Sequence, residues 1–233
     1  MSLDFTIDKN SMWERASAGV ATGSSHEEAC RAGLLELIER DAASRFHASD
    51  YFDRLESEVR ADTIEADWFG LLSDRLRSLS LGLRLFAPAS PTGMPIFMAA
   101  ISDKSKLARP YAGTVGHAAH PDPEVALFQA LAEALQSRLT FISGAREDCW
   151  PSLYTTRTSG IVAALAPPPV AGIDGLAFQT IESGPSQTDA IADRLNKMGC
   201  IELAFVKLAQ PGRFHVVRSI APGLGSLAKG PRL

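Results

Sequence analysis

Residues Ala21–Arg45, ATGSSHEEACRAGLLELIERDAASR, predict a turn followed by a long helix. The start of the helix is marked by a Ser-x-x-Glu capping box, formed either by Ser24 with Glu27 or by Ser25 with Glu28. An apolar-periodic run follows directly, which is typical of a helix that packs against a core. We expect this helix to end at about residue 47.

A helical projection separates two faces of this first predicted helix. One face is apolar and carries Cys30, Leu34, Leu37 and Ile38. The other face is centred on Glu36 and combines small with charged residues, including Ser25, Ala29, Ala32, Gly33, Glu39, Arg40 and Ala43. Small residues let another group approach the backbone closely, so the second face is a candidate binding surface.

A second predicted helix repeats this design. It starts strongly at Asp122, Pro123 and Glu124 and is expected to end at about residue 142, before Gly144. The face centred on Glu133 is small or polar, with Ala126, Gln129, Ala130, Gln136, Ser137 and Thr140. The predicted core side is apolar, with Leu127, Leu131, Leu135 and Ile142, flanked by Val125, Phe128 and Leu139.

The rest of the pattern predicts an α+β fold. A helix over residues 64–78 is expected to turn its apolar side chains inward, namely Trp68, Leu71, Leu72 and Leu76. Another helix is expected over residues 189–198. Apolar runs typical of strands lie at residues 83–87, 95–102, 178–181, 201–207 and 214–220. The first two of these runs should pair as a hairpin across the turn PASPTGM.

Length and composition favour one domain. The chain has 233 residues and 45% hydrophobic content, so it can bury a sizeable core, and we expect residues 1–233 to form a single domain. Residues 111–120, rich in glycine and alanine, are expected to form a loop. A longer irregular loop is expected at about residues 151–175, where three prolines follow one another.

Charge and cysteine content narrow the function classes. A net charge of −4 with mixed signs gives no basic surface for nucleic acid. No apolar run is long enough to span a membrane and the N-terminus lacks a secretory pattern, so the cytoplasm is the expected location. Three widely spaced cysteines suit neither a disulfide framework nor a zinc motif.

The carboxylates of the two matching faces predict a metal–nucleotide site. Glu36, Glu39 and Glu133 would repel one another at close range, and they can stay ionised together only if cations lie between them. Such hard oxygen ligands suit Mg²⁺ or Mn²⁺, and Mg²⁺ usually combines one or two carboxylates with substrate phosphates. Arg40 beside them could neutralise phosphate oxygens. This combination favours binding of a metal–nucleotide complex and phosphoryl transfer.

Other interpretations of these residues remain open at this point. Glu36 and Arg40 are spaced as an ordinary i,i+4 ion pair of a solvated helix face. His117 and His120 could be metal ligands, but they lack a third ligand at zinc spacing, so a loop or capping role is favoured. The sequence contains neither a P-loop nor a G-x-S-x-G elbow.

Two long motifs resemble those of a known family. Gly23-x-x-x-x-Glu28-Ala29, followed by GLLELIERDA at residues 33–42, is similar to the signature of YcaO-domain proteins. The stretch PDPEVALFQALAEALQSRLT at residues 121–140, continuing into SGARED at residues 143–148, especially resembles the YcaO branch found beside TfuA proteins. The two motifs lie at the expected separation and span well over half the chain.

The resemblance implies a fold and an activity. YcaO proteins are expected to have mixed or antiparallel sheets packed with helices around a central nucleotide site. They bind ATP and Mg²⁺ and phosphorylate a peptide backbone amide while a nucleophile adds to its carbonyl carbon. A Cys, Ser or Thr nucleophile gives an azoline, and external sulfide gives a thioamide, the product linked to the TfuA-associated branch. The implied partners are a peptide or protein substrate, a TfuA-type protein and a second copy in a homodimer.

The resemblance also assigns roles to residues of this sequence. Glu36, Glu39 and Arg40 match the E-x-x-E-R motif, whose carboxylates contact Mg²⁺ and ATP. The other matches are Ser25 and Glu28 in the preceding polar motif, Glu133 and Gln136 in the E-x-x-Q motif, and Arg138 and Arg146 at basic positions that could contact phosphate. Glu36, Glu39 and Glu133 are the expected metal ligands.

Family members are usually longer at both ends, so we expect this chain to be a truncated member. Two other functions stay open from the sequence. One is a non-catalytic scaffold that binds nucleotide or docks a partner. The other is a dinuclear metal hydrolase that uses the same carboxylates.

Overall fold

The computed structural model describes residues 17–104, 113–144, 173–200, 202–210 and 212–224. Its helices in these ranges are α1 (His26–Ala48), α2 (Tyr51–Glu56), α3 (Asp67–Ser78), α4 (Pro123–Ser143) and α5 (Thr188–Lys197), with 3-10 turns at Ala61–Thr63 and Phe178–Thr180. Its strands are β1 (Val20–Gly23), β2 (Leu81–Phe86), β3 (Ile96–Asp103), β4 (Gly113–Ala119), β5 (Ala204–Ala209) and β6 (His215–Ile220). Arg146 lies outside the described residues. The expected loop at about residues 151–175 also lies outside them, except for residues 173–175.

The first sheet has the strand order β2-β3-β4 and is antiparallel. The hairpin predicted across PASPTGM is confirmed, since Leu85 pairs with Ala99 and Phe86 with Met98. The loop expected over residues 111–120 is wrong, because β4 occupies most of it and pairs with β3. Its glycines and alanines are the residues of a strand on which a helix packs very closely.

That helix is α4, and its contact with β4 is made at Gly116. A Cβ added at Gly116 would lie 2.3 Å from the carbonyl oxygen of Ala130 and 2.3 Å from the amide nitrogen of Ala134. The strand and the helix backbone can meet only because Gly116 has no side chain. Ala118 of β4 joins the same core, which also contains Leu127 and Leu131.

The predicted orientation of α4 is partly wrong. Ala126 and Ala130, expected on the polar face, are fully buried. Phe128, Leu139 and Ile142, expected on or beside the core side, are 55%, 65% and 53% exposed. At the close approach to β4 only small side chains fit, so the alanines of α4 face the sheet there, while Leu127 and Leu131 stay buried and Phe128, Leu139 and Ile142 turn outward.

The second sheet has the order β1-β6-β5 and packs on α1. Gly33 of α1 is the point of contact, since an added Cβ there would lie 2.5 Å from Ser219 Oγ and 2.6 Å from the carbonyl oxygen of Gly19. Ser219 Oγ also donates a hydrogen bond to the Cys30 carbonyl at 3.0 Å. The small residues of this face of α1 therefore serve helix–sheet packing at this end of the helix.

The other side of α1 packs against the first sheet and α5. Leu34 and Ile38 share a core with Ile96, Ile191 and Leu195. Near its C-terminus, Phe46 joins a cluster of buried residues on the first sheet, namely Phe86, Met98 and Ala100. The helix thus lies between the two sheets.

Smaller differences from the sequence expectation concern single residues and short runs. Leu71 of α3 is 75% exposed, not inward as predicted, and Phe69 is buried instead. The strand predicted at residues 178–181 is wrong, since a 3-10 turn forms there. Within the described ranges, none of the helices has both the length and the hydropathy to cross a lipid bilayer.

Candidate functional site

The N-terminus of α1 is closed by a cap that uses two of the predicted site residues. Ser25 is the N-cap, and its Oγ accepts the Glu28 backbone N–H at 3.1 Å. The Glu28 carboxylate turns back to Ser24, accepting its N–H at 2.8 Å and its hydroxyl at 2.5 Å. These bonds from Ser24 lower the pKa of Glu28. Of the two predicted capping boxes, the structure thus forms the Ser25–Glu28 one in part, with the Glu28 carboxylate on Ser24 instead of on the Ser25 N–H.

Glu36 is held between the backbone of the turn before β1 and Arg40. Its Oε2 accepts the Gly19 N–H at 3.2 Å, and its Oε1 accepts Arg40 Nε at 2.9 Å and lies 2.8 Å from Arg40 Nη2. The expected i,i+4 pair is therefore present. The additional bond to Gly19 fixes the carboxylate in place, and Arg40 keeps 38% of its side chain exposed.

Glu39 shows that the carboxylates of the two helices share one space. Its pKa is raised from 4.5 to about 7, first by burial and then by the negative charges of Glu133 and Glu36. Arg40 offsets only part of this effect. Glu39 thus lies within electrostatic reach of both Glu36 and Glu133.

The free edge of β4 is where the two helices meet. Among the described residues β4 is the last strand of its sheet, and Glu133 Oε2 accepts the backbone N–H of His117 at 2.7 Å. Neighbouring residues on a strand point to opposite faces, and Phe97 packs with α4 whereas Met98 packs with Phe46 of α1. The helices therefore cover opposite faces of the sheet, with Glu133 of α4 at the edge of β4 and within electrostatic reach of Glu39 of α1.

His117, which the sequence patterns placed in a loop, lies beside the site. Its ring lies 6.3 Å from that of His47, and burial together with His47 lowers the pKa of His117 to about 4, so the ring is neutral at neutral pH. Its Nε2 is buried without a hydrogen-bond partner. His120 instead caps the following turn, since its Nδ1 accepts the Asp122 N–H at 3.0 Å, in agreement with the favoured capping role.

Two of the cofactor-binding residues expected on α4 are placed differently from one another. Gln136 is exposed, one turn beyond Glu133 on α4. Arg138 is buried, and its Nη2 lies 3.6 Å from Asp103 Oδ2 at the end of β3. The structure therefore places Arg138 against the sheet rather than beside Glu39 and Glu36. Arg146 lies outside the described residues.

The donor set suits a divalent ion that also binds a ligand. Among the described residues, no group of three or more His, Cys, Asp or Glu side chains is arranged to hold a metal ion alone. Mg²⁺ commonly takes one or two carboxylates and completes its shell with phosphate oxygens and water. Glu36, Glu39 and Glu133 would supply the carboxylates, and the uncompensated charge at Glu39 is what a cation would neutralise.

Comparison with known sequences decides the family. The YcaO family, described as YcaO cyclodehydratase, ATP- and Mg²⁺-binding, matches residues 5–225. The chain belongs to the YcaO family. The predicted cofactors ATP and Mg²⁺ are those of the family description, and its reaction class agrees with the coarser prediction of an ATP-dependent enzyme.

Two related sequences extend over most of the chain. A protein of Methanothermobacter thermautotrophicus of uncharacterised function is 28% identical over 228 residues, or 95% of this chain. A protein encoded in the tfuA 3′ region of Rhizobium leguminosarum bv. trifolii is 31% identical over 236 residues, or 96% of this chain. The match covers only 58% and 56% of the length of these two relatives.

A solved structure confirms the fold class. YcaO from Methanopyrus kandleri, determined with AMPPCP and Mg²⁺, superposes with a TM-score of 0.72 at 21% identity. The superposition covers 94% of this chain and 58% of that one. The predicted α+β fold with antiparallel sheets and packed helices is therefore correct.

Proposed function

We propose that this YcaO chain binds Mg·ATP at the free edge of β4 and uses it to phosphorylate a peptide backbone amide, giving a thioamide or azoline in a ribosomal peptide or protein. The observation that carries the proposal is that the charges of Glu133 on α4 and Glu36 on α1 both act on the buried Glu39, next to the ion pair of Glu36 with Arg40. Carboxylates from two helices, with the pKa of Glu39 raised by burial and by the charges of Glu133 and Glu36, form the kind of site that a divalent ion and a nucleotide phosphate complete.

The residues of the chain would act by positioning charge. ATP supplies the phosphoryl group that makes the amide oxygen leave as phosphate once a nucleophile has added to the carbonyl carbon. The carboxylates would hold the divalent ion, and Arg40, which is partly exposed, would reach the transferred phosphate. The fixed bond from Gly19 to Glu36 limits reorganisation on binding. No side chain of the protein is needed as a nucleophile.

The substrate and the partner are proposed from the family and from one relative. The relative encoded in the tfuA 3′ region supports a TfuA-type partner protein and, with it, sulfide as the nucleophile. The family name, cyclodehydratase, supports a peptide substrate. The proposed cytoplasmic location rests on the sequence.

Calorimetric titration with Mg·ATP tests the binding part of the proposal. Glu36→Gln keeps the size of the side chain but removes its charge, so we expect affinity to fall at least about tenfold, as for loss of a charge-assisted contact. Glu65→Gln, which changes an exposed carboxylate outside the site, serves as the matched control. Equal affinities of the two variants and the wild type would refute a site at the edge of β4.

Turnover distinguishes an enzyme from a scaffold. With a candidate peptide, sulfide and a TfuA-type protein, we expect ADP release that depends on the peptide, together with a mass shift of the peptide that distinguishes sulfur-for-oxygen exchange from loss of water. Binding of Mg·ATP without ADP release under these conditions would favour the non-catalytic scaffold. Hydrolysis of phosphoesters without ATP would favour a metal hydrolase.

A further inference from the structure

A cysteine and two histidines lie together where the first turns of α1 meet β6, and none of them belongs to the candidate nucleotide site. They are His26, Cys30 and His215. His26 and Cys30 are four residues apart on α1, so their side chains share one face of the helix. His215 lies two residues before Val217 on β6, hence on the same face of the sheet, and Val217 packs against Cys30. His215 therefore points toward the start of α1.

The sulfur of Cys30 and a ring nitrogen of His26 have the separation of two ligands on one zinc ion. Cys30 Sγ lies 3.5 Å from His26 Nε2. Zinc binds thiolate sulfur at about 2.3 Å and imidazole nitrogen at about 2.0–2.1 Å, so a tetrahedral angle places these two donors about 3.6 Å apart. The pair can therefore bind an ion without a change in the backbone of α1.

His215 offers a third donor. Its Nδ1 is buried and has no hydrogen-bond partner among the described residues, which is a costly state for a polar atom. Its ring centre lies 6.2 Å from that of His26. Two imidazoles on one tetrahedral ion are about 5 Å apart. Because no three such donors in the described part of the chain converge on one point as they stand, the two rings have to approach by about 1 Å.

The surroundings of Cys30 suit a soft cation. Burial and the negative charge of Glu27 raise the pKa of the Cys30 thiol, so a positive ion is needed to stabilise its thiolate. Cys30 is 3% exposed, but the neighbouring His26 is at the surface, so an ion can reach the sulfur past the His26 ring. Thiolate and imidazole are ligands that zinc favours, whereas Mg²⁺ favours oxygen.

We propose that His26, Cys30 and His215 bind one Zn²⁺ ion, with the fourth position of the tetrahedron taken by water. The thiol proton leaves as the sulfur binds the ion, so binding releases one proton. The ion would join β6 to the start of α1, next to the N-cap Ser25. This inference does not depend on the proposed reaction, which uses a different metal and different ligands.

Titration with Co²⁺, followed by absorption, tests the proposal in the absence of nucleotide and Mg²⁺. Co²⁺ takes the place of Zn²⁺ in such sites, and its bond to a thiolate gives a charge-transfer band in the near ultraviolet. All proteins carry Cys149→Ser, which leaves Cys30 and Cys200 as the cysteines of the chain. We expect the band to saturate at one Co²⁺ per chain and to disappear when Zn²⁺ is added.

The two remaining cysteines provide a matched pair of variants. Cys30→Ser should abolish the band, and Cys200→Ser should keep it. Both cysteines are free and 3% exposed, so the two substitutions have similar consequences for folding. The charged neighbours of Cys200 are Asp41 and Arg45 rather than histidines.

The histidines are tested separately, because they do not remove the sulfur. His26→Ala changes an exposed side chain, and His215→Phe replaces a buried nitrogen without a partner by carbon, so both variants should fold. Each loses one ligand, and we expect the affinity for Co²⁺ to fall at least about tenfold. These two variants decide the matter if Cys30→Ser does not fold.

Several results would overturn the proposal. One is a folded wild-type protein without the charge-transfer band. Another is a band that survives Cys30→Ser or is lost in Cys200→Ser. Unchanged affinity in either histidine variant would also remove that residue from the ligand set. Glu36→Gln should keep the band, and loss of the band in this variant would place the ion among the carboxylates instead.

Discussion

The two helices that carry the candidate site, α1 and α4, are fixed in the fold by different contacts. α1 lies between two sheets, and its key carboxylate, Glu36, is held by a backbone N–H and by Arg40. α4 lies on one sheet, and its carboxylate, Glu133, is held by the N–H of an edge strand. The site therefore depends on two independent packing arrangements that meet at β4.

This difference explains why α1 and α4, which both combine an apolar face with a small or polar face in sequence, are rotated differently against their sheets. In α1, the large residues Leu34 and Ile38 face the core as the helical projection predicts. In α4, close contact with Gly116 selects the alanines for the buried side. A glycine on the opposing strand, not the helix itself, determines the rotation of α4 and hence where Glu133 points.

The largest expected effect comes from adding a side chain at Gly116, where the backbones of β4 and α4 are in close contact. Gly116→Ala would place a Cβ 2.3 Å from backbone atoms of α4, so the helix must shift, and we expect a loss of about 3 kcal/mol in the free energy of unfolding. Gly33→Ala should cost less, about 2 kcal/mol, because only one of its two closest contacts is backbone: the Ser219 hydroxyl at 2.5 Å can rotate, whereas the Gly19 carbonyl oxygen at 2.6 Å cannot. Urea denaturation measures both.

Gly70→Ala is the control for these two substitutions, because an added Cβ there meets nothing within 4 Å. Within the helix α3 it should be neutral or stabilising by about 0.5 kcal/mol. If Gly116→Ala were as stable as Gly70→Ala, α4 would not be positioned by close contact with β4, and the contrast with α1 would fail.

The next effect tests whether the helices are coupled through Glu39. On folding, the pKa of the Glu39 carboxyl rises from 4.5 to about 7. Between pH 4.5 and about pH 7, the folded protein therefore keeps a proton on Glu39 that the unfolded chain has released. The associated stability is complete below pH 4.5 and is lost as the pH rises through 7. Glu39→Gln removes this pH dependence. In EDTA at pH 8, we expect the free energy of unfolding of this variant to exceed that of the wild type by about 2 kcal/mol, after discounting for the partial exposure of Glu39.

Urea denaturation at pH 4, 6 and 8 measures this coupling. Glu65→Gln, outside the site, should follow the pH dependence of the wild type. Adding Glu133→Gln should shrink the benefit of Glu39→Gln, because it removes one of the charges that raise the Glu39 pKa. Additive effects of the two substitutions would mean that the carboxylates of α1 and α4 do not interact.

Sequence patterns were sufficient for the features that depend on local chemistry. The caps at Ser25 and Asp122, the bounds of both helices and the hairpin of β2 and β3 follow from capping residues, apolar periodicity and turn residues. The choice of carboxylates also came from the paired helix faces, and the residue roles came from resemblance to the YcaO motifs.

What sequence patterns could not give depends on contacts between distant segments. β4 was expected to be a loop because its glycines and alanines lack strand propensity; they suit close packing under α4. For the same reason the sequence patterns place His117 in a loop and not beside Glu133. The basic position at Arg138, which the resemblance suggests could contact phosphate, lies against Asp103 at the end of β3. The sequence signal for this close packing is Gly116 next to His117, shortly before the strong helix start at Asp122.

The smallest expected effect compares the caps at the start of the two helices. Asp122 Oδ1 accepts the N–H groups of Glu124 at 2.8 Å and Val125 at 3.4 Å, whereas Ser25 Oγ accepts one N–H, that of Glu28. The Asp122 carboxylate also faces the positive end of the helix dipole. We therefore expect Asp122→Ala to cost about 1.5 kcal/mol and Ser25→Ala about 1 kcal/mol, both measured by urea denaturation.

Ser25 differs from Asp122 in being a predicted nucleotide contact as well as a cap, and Ser25→Gly separates the two roles. Glycine is nearly as good an N-cap, costing only about a few tenths of a kcal/mol, so the stability of Ser25→Gly should stay close to that of the wild type. If the hydroxyl also binds the nucleotide, the affinity of Ser25→Gly for Mg·ATP should nevertheless fall, and calorimetric titration measures it. Unchanged affinity would restrict Ser25 to capping and confine the nucleotide contacts of α1 to the turns around Glu36 and Glu39, opposite Glu133.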